Sequence, residues 1–120
     1  MNLEVIYEDN HLIAVNKPAG LVVQDNEHGL ASLEHHVKSY IKEKYNKPGA
    51  VFLGCIHRLD TNVTGIVLFA RTSKALTRMN DQFKNRLIKK TYAALIRRKP
   101  QPMAGTLEHW LKKDPKQNKT

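Results

Sequence analysis

Short apolar runs broken by turn residues constrain the fold of this chain more than any other feature of its sequence. The runs 3–7 and 12–16 are rich in β-branched residues, and the four polar residues 8–11 separate them. This pattern predicts two antiparallel strands joined by a tight connection. A proline and a glycine within 17–20 then predict a second turn, which leads into a short strand at 21–23.

Apolar residues with helical spacing occur twice further along the chain. Ser32 is the predicted N-cap of a first helix over 32–45, and Ser73 is the predicted N-cap of a second helix over 73–86. Extended segments are predicted at three further places: 51–60, 66–71 and 91–96. This order of elements favours an α+β fold, in which helices pack against a mixed, largely antiparallel sheet.

The length and the apolar pattern exclude several classes of protein. A chain of 120 residues allows one domain, and we expect 112–120 to form a disordered basic tail. The longest apolar run, 66–70, is too short to cross a bilayer, and residues 1–5 lack the pattern of a secretion signal. We therefore expect a cytoplasmic protein that makes no membrane contact.

The excess of positive charge is confined to the end of the chain. Residues 1–83 hold equal numbers of acidic and basic side chains, whereas 84–120 hold eleven lysines and arginines against two acids. That block accounts for the whole net charge of +9. It attracts polyanions and favours nucleic acid over a neutral small molecule as the partner. A solubilising basic face is the alternative explanation of the charge alone.

The loop 60–65 carries the strongest candidate for a reactive group. Asp60 follows a predicted strand, and a carboxylate there can serve as nucleophile, general base or metal ligand. The next acidic residue, Asp81, lies in a predicted helix. The nearby sequence therefore offers no second carboxylate for a site with two metal ions or for a catalytic pair of carboxylates. From the residue types alone, a structural salt bridge or a loop cap is the alternative role of Asp60.

The histidines and the cysteine are expected to be structural. His35 and His36 are adjacent on a helix and point about 100° apart, so they do not suit a shared metal ion. His57 is expected to shape its loop by hydrogen bonding, and Cys55 to be a small core residue without a disulfide partner. We expect no metal site in this chain.

Three motifs, in order along the chain, resemble those of the RluA-type RNA pseudouridine synthases. Residues 57–65 (His-Arg-Leu-Asp-Thr-Asn-Val-Thr-Gly) are similar to the family signature His-Arg-Leu-Asp-x-x-Thr-Ser-Gly, with Val63-Thr64 in place of Thr-Ser. Residues 16–20 (Asn-Lys-Pro-Ala-Gly) resemble the family's Asn-Lys-Pro-x-Gly loop, and 90–94 (Lys-Thr-Tyr-Ala-Ala) resemble its Lys-x-Tyr-x-Ala strand. The resemblance covers most of residues 5–96.

The resemblance implies the family fold and the family reaction, in which uridine in ribosomal or transfer RNA becomes pseudouridine without metal or organic cofactor. Asp60 would be the essential carboxylate that lets the uracil detach, turn over and reattach through C5. Arg58 would approach the RNA, and Tyr92 would stack on the flipped uracil. For Arg58 a phosphate contact or an ion pair is the alternative. For Tyr92 a half-buried strand position is the alternative, and for Lys17 a solvated turn position. Further substrate or RNA contacts are expected from three lysines: Lys17, Lys89 and Lys90.

The family's later segment, of the type Thr-Gly-Arg-x-His-Gln-Ile-Arg, has no match in this sequence. The resemblance implies that a basic partner of the catalytic aspartate comes from that later region. We therefore expect 1–120 to be the N-terminal part of one catalytic domain and to be incomplete as an enzyme by itself. A non-catalytic RNA-binding module and a dimerising fragment with exposed strand edges are the alternatives.

Overall fold

Four strands and two helices make up the regular structure of the computed structural model, which describes residues 2–25 and 31–112. In chain order they are β1 (Glu4–Glu8), β2 (Leu12–Lys17), α1 (Leu33–Lys44), β3 (Gly54–Cys55), β4 (Gly65–Ala70) and α2 (Ser73–Lys84). All of them belong to a first compact unit, Met1–Lys89. A second unit, Lys90–Thr120, contains no helix or strand over 90–112. Most of the predicted basic tail, 113–120, lies outside the described residues.

The strands form one antiparallel sheet in the order β1-β2-β4-β3. β2 and β4 pair along their whole length, so that Lys17 at the end of β2 lies opposite Gly65 at the start of β4. Asp9 closes the connection from β1 to β2, because its carboxylate accepts the backbone N–H groups of His11 and Leu12 at 2.7 Å each. The predicted hairpin and the α+β class are confirmed.

In the part of the chain that the structure describes, the core lies between the sheet and α1. Ser32 is the N-cap, as predicted, and its hydroxyl accepts the N–H of His35 at 3.1 Å. From there, side chains spaced four residues apart along α1 meet alternate side chains of β2 and β4. The buried members from these three elements are Leu33, Val37, Ile41, Ile13, Val15, Val67 and Phe69. Burying each such side chain contributes about 1.5–3 kcal/mol.

The strand predicted at 21–23 is wrong. The carbonyl groups of Val22 and Val23 accept the first N–H groups of α1, from Leu33 at 2.8 Å and Glu34 at 2.9 Å. These N–H groups have no partner within the helix itself, so the extended segment caps α1 rather than joining the sheet.

The prediction for 51–60 is correct only in its centre, where β3 covers two residues, Gly54–Cys55. At α2 the N-cap is Thr72 rather than Ser73, since the Thr72 hydroxyl accepts the N–H of Ala75 at 3.1 Å. Both errors shift boundaries and leave the order of elements unchanged.

The strand predicted over 91–96 is also wrong. These residues form no strand, and the Leu95 and Ile96 side chains are exposed. A strand is stable only beside a hydrogen-bonded neighbour, and residues 90–112 of its own unit contain no strand that could pair with this segment. In the same two ranges, no helix is long and apolar enough to span a bilayer.

Candidate active site

The loop that carries Asp60 leads directly into β4. The N–H of Val63 donates to the carbonyl of Asp60 at 3.0 Å, which closes a tight turn. Gly65 then begins the strand with a φ of 138°, in the region that favours glycine. The Asp60 side chain is exposed, so its position is set by the backbone on either side of it.

The ammonium of Lys17 holds the loop on the side that follows Asp60. Lys17 is 0% exposed, and its Nζ donates to the carbonyl groups of Pro18 at 2.9 Å, Leu21 at 2.7 Å and Thr61 at 2.7 Å. These three bonds account for all three donors of an ammonium group. Lys17 thus joins its own Lys-Pro-Ala-Gly turn to the residue next to Asp60.

A second hydrogen bond reinforces this connection. The N–H of Gly20 donates to the same Thr61 carbonyl at 2.8 Å, and Gly20 has a φ of 86°, which only glycine adopts without strain. The 16–20 motif and the 57–65 motif, which are separated by about forty residues of sequence, therefore form one clamped structure around Thr61.

Burial lowers the pKa of Lys17, and the negative charge of nearby Asp60 opposes that shift. The alternative of a solvated turn lysine is therefore wrong. The expected RNA contact of Lys17 does not fit this geometry either, because its donors are already used by backbone carbonyl groups. The buried lysine instead supports the loop and places a positive charge near Asp60.

His57 holds the loop on the side that precedes Asp60. Its Nε2 accepts the backbone N–H of Leu68 in β4 at 3.0 Å. Its ring stacks on that of Phe83 in α2, with 5.2 Å between the ring centres and 21° between the planes. The expected hydrogen bond of His57 is therefore present, and its role in shaping the loop stays a prediction.

Cys55 lies beside His57 and is half-buried, with its Sγ donating to the His57 carbonyl at 3.4 Å. Burial raises the pKa of this thiol, and the nearby charge of Glu34 acts in the same direction. The thiolate is thus disfavoured, so Cys55 is not an activated nucleophile.

The other predicted site residues are exposed and fall into both units. Arg58, next to Asp60, and Lys89 belong to the first unit. Lys90 and Tyr92 belong to the second unit, where Tyr92 is 63% exposed. The half-buried strand position considered for Tyr92 is therefore wrong. No group of three metal-binding side chains occurs within the described ranges.

Sequence reasoning missed a polar cluster that fastens the end of α1 to the hairpin. The Glu8 carboxylate accepts hydrogen bonds from Tyr40 at 2.5 Å, from Tyr45 at 3.0 Å and from Lys44. Burial opposes the change, but these bonds hold the pKa of Glu8 below its usual value. The guanidinium of Arg71 lies over the Tyr45 ring at 4.6 Å. The only signal for this cluster in the sequence was Glu8, which is followed by Asp9 in the polar stretch 8–11.

Comparison with known proteins defines the class to which this fold and loop belong. The family model of the RNA pseudouridylate synthases matches residues 11–120, and the chain belongs to that family. A solved structure of human RNA Pseudouridylate Synthase Domain Containing 4 superposes with a TM-score of 0.59 over 70% of this chain and 30% of that one, at 23% identity. That likeness confirms the fold.

Two curated relatives are more similar in sequence. The chain is 35% identical to tRNA pseudouridine synthase C of Pasteurella multocida over 81% of its own length and 38% of the relative. It is 40% identical to ribosomal large subunit pseudouridine synthase C of Rickettsia bellii over 80% of its own length and 30% of the relative. The chain thus spans about a third of the length of these relatives.

Proposed function

We propose that this chain supplies the aspartate-bearing part of an RNA pseudouridine synthase that acts on ribosomal or transfer RNA. The observation that carries the proposal is the exposed Asp60 in the signature loop, residues 57–65. The buried ammonium of Lys17 holds this loop through the carbonyl group of Thr61. The names of the relatives support both classes of RNA as substrates. Such an enzyme would act in the cytoplasm.

In the proposed reaction the bond between uracil N1 and ribose C1′ breaks, and a bond between uracil C5 and C1′ forms. C5 loses its proton and N1 gains one, so no oxidant or cofactor is needed. Asp60 is the carboxylate on which this exchange depends. Its exposure suits a substrate base that has been turned out of the RNA, because such a base is reached from the solvent side.

The RNA contacts are proposed for exposed residues. Arg58 lies two residues before Asp60 and is available to occupy or border the space that a flipped base leaves. Tyr92 is proposed to stack on the uracil, and Lys89 and Lys90 to contact phosphate groups. The basic block that begins at residue 84 supplies the long-range attraction for RNA.

Release of tritium from RNA that carries [5-³H]uridine tests the proposal, because the label leaves only when C5 loses its proton. Because the basic partner of Asp60 is expected from a later segment, the assay uses this chain joined to that segment of a curated relative. We expect this joined protein to release tritium and its Asp60→Ala variant to release none, while both bind RNA with the same dependence on salt. The chain by itself is expected to bind RNA and to release no tritium. Asp81→Ala is the matched control, since Asp81 is an exposed acid on α2. Equal release by the joined protein and its Asp60→Ala variant would reject Asp60 as the essential group.

The same assay separates the enzyme from the two alternatives. RNA binding without any tritium release from the joined protein would indicate an RNA-binding module. A mass that rises with concentration in light scattering, again without release, would indicate a dimerising fragment. Either result would remove catalysis from the activities of this chain.

A further inference from the structure

β3 has only two residues, so it pairs with only part of β4. Gly54 pairs with Ala70 and Cys55 pairs with Phe69, and no strand residue follows on that side of the sheet. Leu68 is the next residue of β4 in the direction of the signature loop. Its backbone N–H donates to Nε2 of His57 at 3.0 Å, so a side chain supplies the acceptor that a longer β3 would have provided.

The bond to Leu68 also fixes the protonation pattern of His57. A ring nitrogen that accepts a hydrogen bond carries no proton, so in the neutral ring the proton lies on Nδ1. Stacking on Phe83, at 5.2 Å between ring centres, fixes the plane of the ring from α2. Two separate elements therefore orient one side chain three residues before Asp60.

The two sides of Asp60 are thus anchored in different ways. After Asp60, the Thr61 carbonyl accepts from Lys17 and Gly20. Before Asp60, the chain leaves β3; His57 contacts both β4 and α2, and Leu59 packs against the core. An exposed carboxylate between two such anchors has a defined backbone position without being buried itself.

We propose that His57 is a positioning residue that fixes the start of the signature loop on β4 and α2 and thereby holds Asp60 in its productive place. The kinetic part of this inference rests on the proposed function. The acceptor at Nε2 matters more than the ring, because it replaces a ladder bond of the sheet next to the loop.

Two variants separate the acceptor from the ring. His57→Phe keeps an aromatic ring against Phe83 and loses the acceptor, whereas His57→Gln loses the ring and keeps an amide oxygen at a reach similar to that of Nε2. For His57→Phe we expect the Leu68 amide to exchange hydrogen about tenfold faster, as for the loss of one hydrogen bond. The Val63 amide, which donates to the Asp60 carbonyl, should also exchange faster.

The kinetic readout is tritium release by the joined protein under saturating and limiting RNA. A carboxylate displaced by about 1 Å costs roughly 100-fold in rate, so we expect kcat of His57→Phe to fall by about that factor. KM should stay within about twofold, because the residue does not bind substrate. His57→Gln should restore most of kcat and the protection of the Leu68 amide.

Each outcome decides the proposal. Faster exchange at Leu68 with Val63 exchange and kcat unchanged would overturn it, as would equal losses in the Phe and Gln variants. If the joined protein shows no Asp60-dependent release, the proposed function fails, and exchange at Val63 alone then decides whether His57 fixes the loop. If His57→Phe does not fold, Phe83→Leu, which weakens the stacking on His57, should raise Val63 exchange, and unchanged exchange at Val63 would overturn the proposal.

Discussion

The two units of this chain differ in the burial of similar apolar side chains. In residues 1–89, Leu33 is 0% exposed within a core shared by α1, β2 and β4. In residues 90–112, Leu95 is 104% exposed and Trp110 is 103% exposed. The signature loop and both of its anchors lie in the first unit. The difference teaches that burial within the first unit supports the loop that carries Asp60, whereas the segment 91–96 receives no such support from its own unit.

Truncation of matched leucines should give the largest contrast. Leu33→Ala removes a fully buried side chain and is expected to lower the free energy of unfolding by roughly 2–5 kcal/mol. Leu95→Ala is expected to change it by less than about 0.5 kcal/mol, because nothing is uncovered. Urea unfolding followed by circular dichroism measures both. A large loss from Leu95→Ala would show that the second unit shares in the core.

The clamp at Lys17 should give the next largest effect. Lys17→Met leaves the carbonyl groups of Pro18 and Leu21 without their donor, and we expect a loss of about 2–3 kcal/mol in unfolding free energy. Lys74→Met, at an exposed position on α2, is the matched control and should change it by less than about 0.5 kcal/mol. Equal effects of the two variants would contradict the buried clamp.

At low pH the stability of the fold should depend on Asp9, in the turn between β1 and β2. Hydrogen bonds from Tyr7 and from the backbone of His11 and Leu12 lower the pKa of Asp9 to about 2, from 3.8. Because the folded state favours the ionised carboxylate, its contribution is complete above about pH 4 and is lost as the pH falls towards 2. Asp9→Asn should flatten the thermal unfolding profile in this window. Asp81→Asn should leave the profile unchanged.

The smallest contrast concerns two tyrosines. Tyr45→Phe loses a 3.0 Å hydrogen bond to Glu8 and keeps the ring beneath Arg71, so we expect a loss of about 0.5 kcal/mol. Tyr92→Phe in the second unit should leave the free energy of unfolding unchanged, because its side chain is exposed. Double-mutant analysis with Glu8→Gln would show whether the Tyr45 effect passes through Glu8.

Local signals in the sequence predicted those elements whose partners lie close by in the chain. The hairpin follows from two β-branched runs around a polar turn, and α1 follows from the Ser32 cap and its apolar spacing. Residue type and the position after a predicted strand made Asp60 the strongest candidate, and the family motifs supplied its expected role. These local signals were sufficient to predict the antiparallel α+β class.

Residues whose environment depends on distant contacts could not be predicted in the same way. Residues 12–16 and 91–96 carry similar β-type patterns, yet only the first lies between two strands that pair with it. Likewise, a lysine in a Pro-Gly turn is expected to be solvated, and the burial of Lys17 follows from Thr61, which lies 44 positions away. The local sequence does not specify such neighbours.

The most direct measurement is residue-resolved hydrogen exchange of the wild-type chain without RNA. We predict strong protection of the Gly20 and Leu33 amides and of the amides shared by β2 and β4, at least about tenfold above unprotected rates. Residues 91–96 should exchange at unprotected rates, since they form no strand. Protection of 91–96 equal to that of β2, or free exchange at Gly20, would contradict a preformed Asp60 loop in the first unit and an unsupported Tyr92 segment in the second.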